Sequence, residues 1–449
     1  MSKLMISTSG LRGIIGESLD PAVALLMGQA YGSQLESGQT LVVGGDTRAS
    51  YPMMKQALIS GICSTGVHVI EVGQCPTPTV QHAIRRHKAQ GGLVITASHN
   101  PIQWNGIKLM NDQGAFLTGV LYDEIIARFK QKKIRLASVR ELGRILEDKE
   151  AIQRHIDVIF KEIDPSEIKK AKPRVLIDVN HGTGAIADPI LFERLGIDCD
   201  MMYPEPHGDF FHTPEPIKEN LTEICQRLKE GNYDIGFVQD PDADRLVTIA
   251  GDGTFIGEDY SLAYCLDYLL SLNAETKKDV VVNLSTSKVI EFVAQKHQAS
   301  LHYSKIGEPN VVAKMQEMGA QYGGEGNGGV IYPRVGWGRD SLLGIVVALK
   351  HWALSKKSVL DTVKSYPTYK MYRDKMSLEN RADIEPFLIR LKKEYQAYSQ
   401  NHEDGVKIDF KSSWLHVRAS NTEPILRLFA EAETLEKAKS LVDAAKKLR

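Results

Sequence analysis

Four short segments of the 449-residue chain carry residue types and spacings that can do chemistry. The first, Thr96-Ala97-Ser98-His99-Asn100-Pro101, follows an apolar run at 92–96. Ligands bind at the carboxyl ends of strands in open α/β sheets, and a serine placed there can act as a nucleophile. Small polar neighbours and Pro101 would hold its loop in a fixed turn. Taken alone, these six residues also suit an ordinary strand-to-loop turn. The second segment, Asp240-Pro241-Asp242-Ala243-Asp244-Arg245, follows the run at 235–238. Three carboxylates at alternate positions can converge on one hard cation, and without a cation they repel and raise one another's pKa. Arg245 suits a phosphate beside that metal, because its fork binds two oxygens at once. A solvated acidic turn is the plainer alternative, and an EF-hand is disfavoured because the loop lacks the glutamate such a site needs at position twelve.

The third segment is Gly323-Gly324-Glu325-Gly326-Asn327-Gly328-Gly329. Its glycines let backbone approach a ligand closely, and Glu325 and Asn327 can hydrogen-bond neighbouring sugar hydroxyls, although a hairpin would look the same. The fourth is Arg418-Ala419-Ser420-Asn421-Thr422-Glu423-Pro424. One arginine, two hydroxyls, an amide and loop N–H groups form a phosphate clamp or, more blandly, a polar hairpin. The turn Asn180-His181-Gly182-Thr183-Gly184 heads a helix and reads as a tight strand-to-helix connection.

These segments need a scaffold, and the apolar pattern supplies one. Strands at 41–44, 67–72 and 92–96 alternate with helices at 53–64 and 79–87, and the charged stretch 131–150 ends this unit and starts a connecting helix. A second unit has strands at 174–179, 197–202 and 235–238 with helices at 185–195 and 220–230. A third has helices at 262–270, 287–296 and 311–318 with strands at 280–284 and 301–304; Gly323 and Gly324 break the pattern before a long helix at 341–354. Alternation at this spacing predicts βαβ units on mainly parallel sheets. After Pro367 a helix at 384–398, three strands at 406–410, 414–418 and 425–429, and a closing helix from Leu435 predict an α+β domain. The expectation is three consecutive mixed α/β domains (1–150, 151–253, 254–368) and a C-terminal α+β domain (369–449) around a central cleft.

Composition narrows the function classes. Hydrophobic residues make 43% and charged residues 25%, ordinary for a soluble globular protein, and a net charge of −1 gives no global pull toward nucleic acid or an anionic membrane. Five scattered cysteines without a metal-type pair fit a reduced, cytoplasmic protein. The first residues lack a signal-peptide pattern, and no apolar run approaches the roughly 20 residues that span a bilayer. A monomer or homodimer acting on a small molecule is expected.

Taken together and in this order, the four segments resemble the α-D-phosphohexomutase superfamily, which includes phosphoglucomutase, phosphomannomutase and phosphoglucosamine mutase. The likeness runs essentially from Ser7 to the C-terminus. It implies four domains around a deep cleft, with Ser98 the phosphorylated position of the resting enzyme. Asp240, Asp242 and Asp244 would hold one Mg²⁺ per chain together with an oxygen of that phosphoserine. By the same resemblance Glu325 and Asn327 fall on the sugar-selecting loop. Arg418, Ser420, Asn421 and Thr422 fall on the loop gripping the phosphate not being transferred. Arg12, in Ser9-Gly10-Leu11-Arg12-Gly13, matches an active-site arginine, and Lys108, ten positions after Ser98, matches a lysine offered as acid/base. Many relatives end the sugar loop in Ser-Gly-His, where this chain has Asn327-Gly328-Gly329. The histidine those members offer as a second acid/base is therefore missing at Gly329, which also opens space.

The implied reaction moves a phosphoryl group from Ser98 to a hexose monophosphate, forming a hexose 1,6-bisphosphate that turns around and returns the other phosphate. Such chemistry asks for alignment and charge neutralisation. Lys108 could exchange a proton if burial among cations lowered its pKa, and His99 is a further contact for the phosphate. A metal-dependent sugar phosphatase and a sugar-phosphate sensor are the alternatives from other classes. Among sugars, the Gly-Asn-Gly-Gly loop and the following Gly338-Arg339-Asp340 look most similar to members assigned to phosphoglucosamine, with mannose and glucose phosphates as alternatives.

Overall fold

Aliphatic runs such as Leu41-Val42-Val43, Leu93-Val94-Ile95, Val175-Leu176-Ile177 and Val280-Val281-Val282 are buried throughout, which is what central strands covered by helices on both faces require. The computed structural model describes residues 3–7, 10–272, 278–420 and 425–449, and its strands form four sheets of seven, four, four and five strands. In the first, Thr40–Gly45 pairs in parallel with Gly91–Ile95 and His68–Gln74. The second is built on Val175–Asp178, parallel to Ile235–Gln239 and Cys199–Met202. The third is built on Asp279–Asn283, parallel to Ser300–Ser304 and Tyr322–Glu325. The fourth is wholly antiparallel. The α/β class and the cap are as expected.

Each sheet also contains an antiparallel pair whose connection is one of the chemistry-bearing segments. Gly91–Ile95 turns back into Trp104–Asn111, and Ile235–Gln239 into Leu246–Ala250. Tyr322–Glu325 turns back into Gly329–Ile331, and Trp414–Ala419 into Ile425–Ala432. The returning strands in the first three sheets are unforeseen from sequence, so those sheets are mixed where mainly parallel ones were expected. A consequence is that Lys108 comes back beside the serine loop, paired with Val94 in the ladder.

Several expectations need correction. The glycine break at Gly323 and Gly324 is a buried strand: a Cβ at Gly323 would lie 2.3 Å from Met315 Sδ, and one at Gly324 2.5 Å from Leu262 Cδ1. The glycines are there because two helices press onto that strand. Within 131–150 the chain adds an exposed edge strand, Ile145–Glu147, before the helix Ala151–Glu162. The C-terminal sheet gains Lys370–Ser377 and Ser399–Asn401, whose polar sequences hide the strand pattern, and its first helix stops at Glu394.

One apolar core runs continuously from Val42 in the first unit to Tyr366 at the end of the third, whereas the C-terminal unit has a core of its own. Polar contacts dock that unit on the third: Ser285 Oγ meets His416 Nδ1 at 2.8 Å, Lys288 N donates to Glu431 at 2.8 Å, and Ile306 N donates to Asp404 at 3.1 Å. Among the described residues no helix is long and apolar enough to cross a membrane, and all five cysteines are free thiols.

The helices Pro21–Gly32 and Tyr51–Cys63 cover one face of the first sheet and cross at glycines. A Cβ at Gly61 would stand 2.1 Å from Leu25 O, and one at Gly28 2.3 Å from Leu58 O. Gly61→Ala should therefore lose more to overpacking, about 1–3 kcal/mol, than the roughly 1 kcal/mol it gains in helix propensity. The expected result is a thermal midpoint lower by about 2–4 °C. An unchanged or raised midpoint would show that these helices part without cost.

Candidate active site

Ser98 sits at the turn after Gly91–Ile95 with a φ of +50°, in the left-handed region that costs a non-glycine residue roughly 1–2 kcal/mol. The turn is fixed from beneath by Arg48. Its Nη2 donates to Ser98 O and Asn100 O (2.7 Å each), and its Nη1 donates to Pro101 O (2.8 Å) and Trp104 O (3.0 Å). Its Nε donates to Asp46 Oδ2 at 3.0 Å, so all five N–H donors are used. Asp46 also accepts from Thr96 Oγ1 (2.6 Å), which in turn accepts from Ser98 N (2.8 Å), and the Phe210 ring covers the guanidinium at 4.8 Å. Arg48 escaped sequence reasoning. The only local signal is a carboxylate and an arginine two apart, Asp46 and Arg48, just past the strand Thr40–Gly45.

Ser98 Oγ donates to Asp240 Oδ2 at 2.8 Å, which brings the first and second segments together. Asp240, Asp242 and Asp244 are each at most 1% exposed, and one oxygen from each lies within 4.8 Å of the others. Their neighbours are cations. Asp242 Oδ2 accepts from Lys108 Nζ (2.8 Å) and Thr77 Oγ1 (2.7 Å), Asp244 Oδ2 accepts from Arg339 Nη2 (2.6 Å), and Arg245 Nε lies 3.8 Å from Asp240 and Asp244. Asp242 Oδ1 and Asp244 Oδ1 are buried and accept no hydrogen bond among the described residues. Hard oxygen donors with unused lone pairs fit a divalent cation. The turn Asn180-His181-Gly182-Thr183-Gly184 buttresses this loop, with Thr183 Oγ1 donating to Pro241 O at 3.0 Å.

Burial and the neighbouring Asp244 and Asp242 raise Asp240 well above the carboxylate range. Burial pushes Asp242 the same way, but Lys108 and Thr77 outweigh it and hold Asp242 below that range. Burial would lower Lys108, yet Asp242 and Asp244 outweigh it and the ammonium is stabilised. The expectation of a Lys108 depressed by surrounding cations is thus reversed, because its nearest neighbours are carboxylates. His99 is held well below its usual range, chiefly by Arg245 and then by burial, and its neutral Nδ1 lies 3.2 Å from Ser98 Oγ. Arg12 reaches the same loop, donating to Asn100 Oδ1 at 2.6 Å.

His99 and Arg245 line a cavity of about 410 Å³ whose other walls include Glu325 and Asn327 of the third unit and Arg373, Arg427 and Phe429 of the fourth. Glu325 already accepts three hydrogen bonds: Oε1 from Asn283 Nδ2 (2.9 Å) and Gly307 N (3.0 Å), and Oε2 from Arg339 Nη1 (2.9 Å). The space expected at Gly329 is not open. A Cβ there would lie 2.1 Å from Arg339 Cδ.

On the fourth sheet Arg418 pairs with Asp404 at 3.1 Å, and Ser420 N closes the hairpin on Ile425 O at 2.9 Å. Asn421 and Thr422 lie outside the described residues. Arg427, missed in the sequence, is directly opposite both Arg418 and Lys375 in the ladder, making a row of three cations on the face away from the helices. Like charges placed opposite repel. Arg427 forms no hydrogen bond or ion pair among the described residues and faces the cavity, so the row suits an anion.

Known proteins resemble this chain along its whole length. Residues 3–135, 153–253 and 257–369 match the phosphoglucomutase/phosphomannomutase alpha/beta/alpha domains I, II and III, and residues 377–448 match the C-terminal domain of the same family. A phosphoglucomutase/phosphomannomutase of Thermococcus kodakarensis is 36% identical over 100% of this chain and 98% of its own length. A probable phosphoglucosamine mutase of Pyrococcus abyssi is 31% identical over 98% and 96%. The crystal structure of a Burkholderia thailandensis phosphoglucomutase/phosphomannomutase family protein superposes with a TM-score of 0.85 over 99% of this chain and 97% of that one, at 24% identity, which speaks to the fold. With matches to all four domains and relatives above 30% identity along the whole chain, the protein belongs to the phosphoglucomutase/phosphomannomutase family, the phosphohexomutases.

Proposed function

We propose that Ser98 is the phosphoryl carrier of this phosphohexomutase and that glucosamine 6-phosphate is its preferred substrate, converted to glucosamine 1-phosphate. The observation that carries the first part is the 2.8 Å contact of Ser98 Oγ with Asp240, on a turn whose two other carboxylates keep buried, unpartnered oxygens. Asp240, Asp242 and Asp244, with an oxygen on Ser98, suit one Mg²⁺, which when bound neutralises charge on the transferring group.

The residues of the chain then divide the work. Phospho-Ser98 gives its phosphoryl group to the free hydroxyl of a hexose monophosphate: the Oγ–P bond breaks, the sugar O–P bond forms, and the hydroxyl proton ends on Ser98 Oγ, which departs as the free serine hydroxyl. The product is a hexose 1,6-bisphosphate, and the return step reverses these events with the other phosphate. Neutral His99, 3.2 Å from Oγ, is placed to hydrogen-bond the serine hydroxyl, whereas Lys108 is held charged by Asp242 and supports the phosphoryl oxygens with Arg12 and Arg245. Glu325 and Asn327 accept and orient the sugar, and Arg418 and Arg427, with Ser420, Asn421 and Thr422, grip the other phosphate.

The sugar assignment rests on the third segment and on relatives named phosphoglucosamine mutase, such as the 31% identical protein of Pyrococcus abyssi. A carboxylate that binds C3 and C4 hydroxyls barely senses C2, where glucose, mannose and glucosamine differ, so some promiscuity is expected.

Three measurements check this reading. Asp242→Asn should lower kcat by about 100-fold or more with little change in thermal midpoint; full activity in excess chelator would contradict it. Arg427→Ala should raise KM by roughly 30-fold, about 2 kcal/mol of charge-assisted hydrogen bonding, with a smaller effect on kcat; unchanged KM would leave the row without a role. Finally, kcat/KM for glucosamine, mannose and glucose 1-phosphates in one buffer should be highest for glucosamine, and a mannose or glucose value tenfold higher would overturn the sugar assignment.

A further inference from the structure

We infer that Arg339, whose stem fills the space over Gly329, acts as a positioning residue joining the aspartate loop to the sugar loop. This rests on the reading of those two loops given above. Arg339 is 7% exposed, and its guanidinium touches both loops at once. Nη2 donates to Asp244 Oδ2 (2.6 Å), Nη1 donates to Glu325 Oε2 (2.9 Å) and Asn327 Oδ1 (3.0 Å), and Nε donates to Glu308 Oε2 (2.8 Å). Asp244 comes from the second sheet and Glu325 from the third, so one side chain sets the spacing between two domains' contributions to the cavity.

The side chain is held from its own backbone. Asp340 N donates to Val330 O at 3.1 Å, and the Asp340 carboxylate caps the helix Ser341–Ser355 and meets His155 Nε2 at 2.8 Å. From that fixed base the stem runs directly over Gly329. A Cβ built on Gly329 falls 2.1, 2.5 and 2.8 Å from Cδ, Cγ and Cβ of Arg339. A side chain at 329 and an arginine at 339 therefore exclude one another. Gly329 also lies outside the positive-φ set, so clearance for the stem, and not backbone conformation, is what calls for glycine there. A guanidinium stays protonated in proteins, so a group at this place orients Asp244 and Glu325 but cannot shuttle a proton.

A double-mutant cycle tests this on the full-length enzyme, with kcat and KM measured on glucosamine, mannose and glucose 1-phosphates. Gly329→Ala should lower kcat/KM by about 30-fold or more in the wild-type background and less than threefold in Arg339→Gly, where nothing remains to collide with. Arg339→Gly itself should lose about 100-fold, and millimolar methylguanidinium should restore at least tenfold in kcat to this variant but not to Asp242→Asn. Arg339→Lys, which keeps the charge and is the safeguard should the glycine variant fold poorly, should still lose tenfold because one ammonium cannot reach both loops. An equal cost of Gly329→Ala in both backgrounds, or a fully active Arg339→Lys, overturns the inference while normal wild-type turnover leaves the site reading standing. A wild type inactive on all three sugars overturns both.

Discussion

Three carboxylates buried on one turn are the constraint around which the rest of the site is arranged. Asp240, Asp242 and Asp244 cannot all be charged and dry without cations at hydrogen-bonding range. The chain answers with a cation from each of several elements: Lys108 from the returning strand of the first sheet, Arg245 from the turn itself, and Arg339 from the segment before a helix of the third unit. Each of these also touches or adjoins something else, so the electrostatic requirement becomes a geometric one. Lys108 ties the serine sheet to the aspartate turn, and Arg339 ties that turn to Glu325. The two carboxylate oxygens that accept no hydrogen bond among the described residues fit a divalent cation.

The architecture delivers these groups by repeating one device. In all four sheets a chemistry-bearing segment lies where a strand folds back on an antiparallel neighbour, and residues of the first three turns and of the fourth sheet line a common cavity. The first three units share one continuous core and so hold serine, aspartates and Glu325 in fixed relation. The fourth has a separate core and meets the third through polar contacts.

Much of this was legible in the sequence, for physical reasons that also mark where legibility ends. Runs such as Val280-Val281-Val282 announce buried strands whatever their partners, and the alternate carboxylates Asp240, Asp242 and Asp244 suit either a cation or a solvated turn until the fold buries all three. The returning strand Trp104–Asn111 was not legible, since its glycine, asparagines and lysine look like loop until the neighbour Gly91–Ile95 is beside it. Arg48 and Arg427 act on residues 50 positions away in sequence or across a ladder, which no local pattern encodes. The condition set for Lys108 as a proton carrier, a pKa lowered by burial among cations, is not met because the fold puts the carboxylate of Asp242 beside it. Family membership sets aside the phosphatase and sensor alternatives that the residues alone left open.

The account stands or falls on Ser98 as the atom that carries phosphate between sugars. Intact mass of the wild type and of Ser98→Ala, each treated with glucose 1,6-bisphosphate and Mg²⁺ and then freed of small molecules, tests it most directly. The account predicts one added phosphoryl group on the wild type, lost again on exposure to hexose monophosphate, and none on the variant. Equal phosphorylation of both proteins, or of neither, would contradict it.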